Sequence, residues 1–326
     1  MIAPRANPLL LGQNRAIAEL HRAASGPRLH HAWLIAGPPG IGKATLAYRF
    51  ARWLLAGATT PDLSLAPTDP VFRRVAVASH ADLLVIERRY DEKKKRMQGE
   101  IVVETVAQAG KFLRLTPGEG GWRVVIVDGA EALNRNAANA LLKLLEEPPP
   151  RAIWLLISHA PGRLLPTIRS RTRLLDAAPL DPATLETLLA TAQPDLTAAQ
   201  RTRLATLSEG SIGRALSLAG TDGLALASLA EEALTTTIPP TRAAAIADQV
   251  ARAEDGFATF LDLLRTALAT TTRAQARMTA RTAPTPSLDR QVSLWQEFGQ
   301  LEAEVEGLNL DPRAAILTLL HRLRPA

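Results

Sequence analysis

The stretch "AWLIAGPPGIGKATLAYRFARWLLAG", residues 32–57, decides the fold. Its apolar start predicts a β-strand and its glycine-rich middle a tight loop. Its end predicts a helix, because apolar residues recur there at helical spacing. In this order, backbone N–H groups of the loop can surround phosphate oxygens at the N-terminus of the helix, and Lys43 adds a positive charge. The stretch therefore predicts a P-loop.

The loop departs from the P-loop pattern at Ala44, where a Ser or Thr normally supplies a hydroxyl to Mg²⁺. Thr45 follows directly, but one residue of α-helix is a rotation of about 100°, so we expect its hydroxyl not to substitute. Two interpretations stay open. The loop either holds a nucleotide without turning it over efficiently, or it is a structural loop that binds none.

Three further apolar runs, residues 82–87, 122–128 and 152–158, predict buried strands. Continuous apolar runs separated by helical patterns are typical of a parallel sheet covered on both faces. The second run ends in Asp128, at the position of a Walker-B carboxylate that faces the P-loop and holds Mg²⁺, although turns also favour Asp. The sequence therefore predicts an α/β module built on a P-loop and a parallel sheet.

The character of the chain changes beyond about residue 178, where strand patterns stop and Ala- and Leu-rich helical patterns begin. Pro-containing segments at residues 237–241 and 281–289 break these helical patterns. We therefore predict three domains, which are an α/β module over residues 1–177, a small helical domain over 178–221 and an all-α domain over 222–326.

The composition narrows the classes of chemistry that the chain can carry. Its 326 residues include no Cys, which excludes disulfides, thiolate zinc sites and cysteine nucleophiles. The net charge of +6 suits a nucleic-acid partner, but only six of the 38 basic residues are Lys, so an Arg-rich codon usage explains the charge equally well. We find no signal-peptide pattern and no apolar run of about 18 residues, and we expect a cytoplasmic protein.

Four stretches together resemble the clamp-loader branch of the AAA+ ATPases. They are "LHHAWLIAGPPGIGKATLAYRFA", "GGWRVVIVDGAEALNRNAANALLKLLEEPPP", "LLISHAPGRLLPTIRSRTRLL" and "EGSIGRALSL", and they span the first two predicted domains in order. The third domain matches only in length and helical character. The resemblance implies an AAA+ module, a helical lid and a helical collar, within a ring of five subunits that opens a sliding clamp and places it on primed DNA.

The resemblance also implies ligands and partners. ATP or ADP is the expected cofactor, and the expected partners are the delta and gamma/tau subunits of the ring, the sliding clamp and primer-template DNA, without a membrane. The family's Cys-rich zinc insertion is missing, and residues 57–72 form a Pro-containing segment in its place, so no zinc is expected. Any polymerase activity belongs to the larger assembly, because the sequence has no polymerase active-site pattern.

Several departures from the motor subunits of this family concern hydrolysis. Gly129 occupies the position of the Glu that polarises the attacking water, and we expect Glu131, at a predicted helix start, to point elsewhere. Gly213 stands where the motors carry the sensor-2 Arg, with Arg214 displaced by one residue, and Ser158 takes the sensor-1 position. These departures favour a non-catalytic ring subunit. The alternatives are an autonomous gamma/tau-type ATPase and a small-molecule kinase, for which we find no acceptor-binding lid or base.

The predicted site residues fall into two groups. In "TIRSRTR", residues 167–173, the family's Ser-Arg-Cys element implies that Arg171 acts in trans on the γ-phosphate bound by a neighbouring subunit, although Thr172 replaces the Cys. The bland alternative for Arg171 is a basic surface or a contact with DNA phosphate. The predicted nucleotide-binding residues are Gly37, Pro38, Gly40, Ile41, Gly42, Lys43, Ala44, Thr45, Asp128, Ser158 and Arg214.

One predicted helix of the third domain carries bulky residues along one side. Trp295, Phe298, Leu301 and Val305 have the spacing that places them there. This side fits a collar interface and fits the core of the domain equally well.

Overall fold

The computed structural model describes residues 2–92, 95–119, 121–279, 287–308 and 310–323. The chain divides into two compact units. The first comprises Met1–Ala192 with Glu209–Arg214, and the second comprises Gln193–Ser208 with Ala215–Ala326. The domain boundaries near residues 177 and 222 stay predictions.

A five-stranded parallel sheet forms the centre of the first unit. Its strands are β1 (Ala32–Ala36), β2 (Leu83–Ile86), β5 (Arg123–Asp128), β6 (Ala152–Ser158) and β7 (Arg173–Asp176), in the order β2-β5-β6-β1-β7. The pairing of Leu34 with Leu156 and of Val125 with Trp154 fixes the register. Because β1 runs directly into the glycine loop, the loop lies at the carboxyl edge of the sheet.

Helices cover the sheet on both faces, as predicted. One apolar cluster contains Trp33, Ile126 and the buried side of α2, and the other contains Trp154, Val125 and the buried sides of α4 and α5. The helices of this unit are α1 (Asn14–Ala24), α2 (Lys43–Leu55), α3 (Pro70–Ala76), α4 (Val103–Arg114), α5 (Arg135–Glu146), α6 (Pro166–Arg169) and α7 (Pro182–Ala192), with 3₁₀ turns at Pro4–Ala6, Ala130–Ala132 and Pro161–Arg163. The α/β fold class with a P-loop parallel-sheet module and following helices is confirmed.

The mixed-charge run at residues 87–100, of which residues 93 and 94 lie outside the described residues, contains two very short antiparallel strands. They are β3 (Tyr90–Asp91) and β4 (Arg96–Met97), and Tyr90 pairs with Met97. Both of these side chains are exposed. These two short strands therefore pair with exposed side chains.

The described part of the second unit is helical. Its helices are α8 (Ala198–Leu207), α10 (Gly223–Thr235), α11 (Pro240–Arg252), α12 (Gly256–Thr279), α13 (Ser287–Leu308) and α14 (Pro312–Arg322), and α9 (Ile212–Gly220) passes along the chain from the first unit into the second. The predicted break at residues 237–241 covers the end of the connection between α10 and α11 and the first two residues of α11. Residues 281–286 of the second predicted break lie outside the described residues.

The bulky residues of α13 do not share one environment. Phe298 is completely buried, and Leu301 and Val305 are also in the core, whereas Trp295 is 48% exposed. Buried residues at 294, 298, 301 and 305 follow the spacing of one helix face, and Trp295 lies about 100° from that face. For Phe298, Leu301 and Val305, the core interpretation is the correct one.

Among the described residues, no helix combines the length and the apolar character that a bilayer crossing requires.

Candidate functional site

The P-loop closes around its own lysine. Gly42 adopts a left-handed conformation immediately before α2 begins at Lys43. The Lys43 ammonium donates hydrogen bonds to the carbonyl oxygens of Gly37 at 2.6 Å and of Pro38 at 2.5 Å. The residue is 3% exposed, and burial lowers the pKa of Lys43 to about 8 against the opposing charges of Glu131 and Asp128. The lysine is thus held in the loop. There its ammonium group can replace the carbonyl oxygens with an anion as its hydrogen-bond acceptor.

Ala44 and Thr45 differ in exposure. Ala44 is half-buried beside the apolar cluster of α2, and Thr45 is 8% exposed. Ile41, between the loop glycines, is buried and anchors the loop in the core.

A turn at residues 209–213 packs directly on the P-loop. The backbone N–H of Gly213 donates to the carbonyl oxygen of Gly40 at 2.9 Å. A Cβ atom on Gly213 would lie 2.9 Å from the Cα of Gly40, and one on Gly40 would lie 2.3 Å from the Ser211 hydroxyl. The backbone contact at Gly213 and the left-handed φ of 73° at Gly40 therefore require glycine at both positions. In this arrangement an arginine at the sensor-2 position would collide with the loop backbone.

Arg214, the displaced sensor-2 candidate, is oriented by its own turn. Its backbone N–H donates to the Ser211 hydroxyl at 3.1 Å, and its guanidinium pairs with the Glu209 carboxylate at 3.4 Å. The structure thus brings the backbone of this turn to the P-loop while the Arg214 side chain contacts Glu209.

Gln13 connects the P-loop to the backbone at Ala178. Its side-chain amide donates to the carbonyl oxygens of Ile41 at 3.1 Å and of Ala178 at 2.8 Å, and the residue is 2% exposed. A buried amide with both donors satisfied fixes the two backbone segments that it joins. No local sequence pattern marks Gln13, since its partners are 28 and 165 residues away.

The Walker-B side of the site contains a second carboxylate that we expected elsewhere. Asp128 ends β5, and burial raises the pKa of its carboxyl. Glu131 accepts a hydrogen bond from the backbone N–H of His159 at 3.2 Å and another from the Ser158 side chain. Although burial opposes it, these bonds hold the pKa of Glu131 below its usual range. The expectation that Glu131 points away from the site is wrong.

The backbone at Gly129 explains the direction of Glu131. Gly129 has a φ of 75°, and a 3₁₀ turn, Ala130–Ala132, starts directly after it. This left-handed residue reverses the chain before the turn begins, so Glu131 comes back over the end of β6. Asp128, Glu131 and His159 then line a cavity of about 570 Å³ at the carboxyl edge of the sheet, together with Glu87, Arg88 and Glu100.

The predicted sensor-1 residue Ser158 lies at the end of β6 and is completely buried. Its hydroxyl accepts a hydrogen bond from the backbone N–H of Ala160 at 3.2 Å and also bonds Glu131. Burial lowers the pKa of the neighbouring His159, and the positive charge of Lys43 acts in the same direction. The ends of β5 and β6 are thus tied together by polar contacts, close enough to Lys43 for their charges to interact.

Arg171 lies in the turn between α6 and β7 and contacts the end of α5. Its guanidinium pairs with the Glu146 carboxylate at 2.8 Å and donates to the Thr167 carbonyl oxygen at 3.1 Å. The side chain remains 36% exposed. Arg173, by contrast, stacks over the Trp33 ring at 4.8 Å and pairs with Glu19 at 3.1 Å.

We expect Gly129→Glu to lower stability without creating an ATPase. Open space surrounds Gly129, but a non-glycine residue in the left-handed region costs about 1–2 kcal/mol, and Ala44 still lacks the Mg²⁺ ligand. Urea denaturation and phosphate release measure the two effects. Gly162→Glu is the matched control, since Gly162 also faces open space and its φ is not in the left-handed region. Equal stability of the two variants would contradict the backbone argument.

Comparison with known proteins places these features in a family. A family model described as DNA polymerase III, delta subunit, matches residues 12–181. The chain is similar to the DNA polymerase III subunit delta' of Pseudomonas aeruginosa, with 43% identity over 184 residues, which is 56% of this chain and 53% of that protein. The same subunit of Escherichia coli K12 is 37% identical over 194 residues, 59% of this chain and 55% of that protein.

A second kind of relative also matches. The DNA polymerase III subunit gamma/tau of Mycobacterium tuberculosis H37Rv is 32% identical over 193 residues, 56% of this chain and 30% of that protein. The chain spans about half the length of the delta' relatives that it matches and about a third of this one.

Proposed function

The chain belongs to the DNA polymerase III delta subunit family, and from this premise we propose that it is a non-catalytic assembly subunit, of the delta-prime kind, in a clamp-loader complex. In this role it holds adenine nucleotide without hydrolysing it efficiently and supplies Arg171 in trans to a neighbouring motor subunit while the ring loads a sliding clamp for DNA replication. The observation that carries the proposal is a P-loop that keeps Lys43 while Gly129, in a left-handed conformation, replaces the catalytic carboxylate.

The groups that a motor subunit needs for ATP hydrolysis are missing, which supports nucleotide binding without turnover. Ala44 offers no hydroxyl to Mg²⁺, and Gly129 offers no carboxylate to the attacking water. Gly213 offers no sensor-2 guanidinium, and its backbone occupies the surface of the loop instead. Loss of any one of these groups slows ATP hydrolysis. With all three missing, the site is left with electrostatic binding of phosphate.

The remaining loop groups suit a phosphate ligand. A bound phosphate would replace the carbonyl oxygens of Gly37 and Pro38 as acceptor for the Lys43 ammonium, and the backbone of residues 40–45 lies at the positive end of α2. Asp128, Ser158 and Arg214 complete the proposed nucleotide site. ATP or ADP is the proposed ligand, and zinc has no role in the proposal.

The proposed partners follow from membership of the ring. Residues 222–326 would serve as the collar that joins delta and gamma/tau subunits, residues 1–177 as the AAA+ module and residues 178–221 as its lid. The sliding clamp and primer-template DNA would meet the assembled ring. Among the described residues of the collar, Val292, Trp295, Leu308 and Leu310 are large apolar residues that remain exposed and could serve such contacts.

We expect ATP affinity to fall as the pH rises above about 8. A bound phosphate favours the charged form of Lys43, whose pKa in the free protein is about 8, so binding above that pH must include uptake of a proton. The dissociation constant at pH 9 should exceed that at pH 7.5 by about an order of magnitude. Calorimetry at both pH values measures the change, and Lys43→Arg, which stays charged, should show little of it. A pH-independent affinity in the unmodified protein would contradict the coupling of phosphate binding to protonation of Lys43.

Glu131 is the observation that favours the alternative, an autonomous gamma/tau-type ATPase, because its carboxylate lies beside Asp128 in the same cavity. An assay of phosphate release by the purified full chain separates the two functions. The assembly role predicts turnover far below about 1 s⁻¹, the lower end for ordinary enzymes. Co-purification with delta and gamma/tau subunits, followed by clamp loading with and without this chain, tests the assembly role directly.

A further inference from the structure

The carboxylate that holds Arg171 comes from the last residue of α5. Glu146 ends this helix, and three prolines, residues 148–150, follow it and prevent the helix from continuing. Its Oε1 atom lies 2.8 Å from one terminal nitrogen of Arg171, while the other terminal nitrogen donates to the Thr167 carbonyl oxygen at 3.1 Å. Two separate helices, α5 and α6, therefore fix the plane of one guanidinium.

This ion pair contributes little to the stability of the fold. A carboxylate at a helix C-terminus faces the negative end of the helix dipole, so Glu146 does not favour α5. The two side chains are 50% and 36% exposed, and ion pairs at this level of exposure contribute about 0–1 kcal/mol. The effect of Glu146 is therefore on the orientation of Arg171.

The guanidinium of Arg171 keeps donors for another ligand. Of its five N–H groups, one on the first terminal nitrogen meets Glu146, and the second terminal nitrogen contacts the Thr167 carbonyl oxygen and, at 3.5 Å, the Ser170 hydroxyl. The Nε–H group and the second N–H of the nitrogen bound to Glu146 take no part in these contacts. Arg173, in the same segment, lies over the Trp33 ring and pairs with Glu19. Arg169 is exposed and forms no ion pair within the described part of the chain. Arg171 alone among the three is both oriented by two helices and able to donate outward.

We propose that Glu146 is a positioning residue, which holds the Arg171 guanidinium in the orientation that reaches the γ-phosphate in the adjacent motor subunit. The proposal rests on the proposed function of Arg171. It assigns Glu146 no contact with the nucleotide. Because misplacement of a reacting or stabilising group by about 1 Å costs up to about 100-fold in rate, loss of the orientation should slow hydrolysis while the arginine itself remains.

The test uses full clamp-loader rings in which the P-loop lysine of every other motor subunit is substituted. Only the site next to this chain then hydrolyses ATP. Glu146→Ala should lower kcat for ATP about 10- to 100-fold, with KM for ATP and ring assembly unchanged. Glu146→Gln, which keeps an acceptor oxygen, should recover part of the rate. Glu147→Ala is the matched control, since Glu147 is the adjacent exposed carboxylate, and it should leave the rate unchanged.

A double variant decides whether Glu146 acts through Arg171. In the Arg171→Ala background, Glu146→Ala should have no further effect. A further loss in that background, an unchanged rate in the single Glu146→Ala variant, or a faster rate there would each overturn the positioning role while Arg171 keeps its own. If Arg171→Ala itself has no effect on the adjacent site, the proposed function of Arg171 fails, and the inference fails with it for that separate reason.

Discussion

Replacement of Arg171 with alanine is expected to slow ATP hydrolysis in the adjacent motor subunit by about 10³- to 10⁵-fold, the loss that is typical when an arginine finger is removed. This corresponds to about 4–7 kcal/mol of activation free energy. The reason is that a guanidinium supplies fixed donors to the charge that develops on the γ-phosphoryl oxygens. Phosphate release on primed DNA, by rings in which only the adjacent motor site is active, measures the effect, together with nucleotide binding by this chain, which should not change.

The same segment supplies the controls. Arg169→Ala and Arg173→Ala should affect the ring mainly through salt-sensitive DNA affinity. Arg173 is held by Glu19 and Trp33, and Arg169 is exposed and forms no ion pair among the described residues. Rings with Arg171→Ala that load clamps and hydrolyse ATP at the unmodified rate would leave only a scaffold function for this chain. A loss of rate accompanied by dissociation of the ring would instead assign Arg171 to assembly.

Phe298→Ala is expected to lower the free energy of unfolding of the second unit by about 3–5 kcal/mol. The ring is completely buried on α13, so its removal eliminates apolar contacts and leaves a cavity. Trp295→Ala, three residues earlier on the same helix, should cost less than about 1 kcal/mol, since Trp295 is 48% exposed. Circular dichroism in a urea series measures both changes, because its helical signal does not depend on the tryptophan.

The pair also separates folding from assembly. If Trp295→Ala weakens ring formation while its urea midpoint is unchanged, the exposed side of α13 belongs to the collar interface. Equal destabilisation by the two replacements would contradict the burial difference between these side chains.

The central strands of the first unit are predictable because their burial makes them continuous apolar runs. β1, β5 and β6 are buried along their length, apart from Asp128 at the end of β5. β7 was not predicted, since this four-residue edge strand exposes Arg173 and Leu174 and buries only Leu175. Such a strand carries no apolar signal of its own and forms because its backbone pairs with β1.

In the candidate site, residues that depend on neighbours in sequence are predictable, and residues that depend on distant contacts are not. The P-loop and Asp128 are predictable, because each depends on neighbours within one strand–loop–helix segment. Gln13 and the turn at residues 209–213 reach the loop across long stretches of chain, and no pattern within either segment reports the contact. Glu131 was misplaced for a local reason, because the left-handed φ of Gly129 cannot be deduced from a glycine alone.

The contact between Gly40 and Gly213 makes these two positions genetically interdependent. An arginine codon is a single-nucleotide change from a glycine codon, but at position 213 the new Cβ would lie 2.9 Å from the Cα of Gly40. No smaller side chain at either position relieves the collision, because it begins at the first side-chain carbon. A library of single substitutions should therefore find both glycines intolerant, and an arginine at position 213 requires prior displacement of the turn at residues 209–213. The steric fit makes such an arginine difficult to introduce by stepwise mutation.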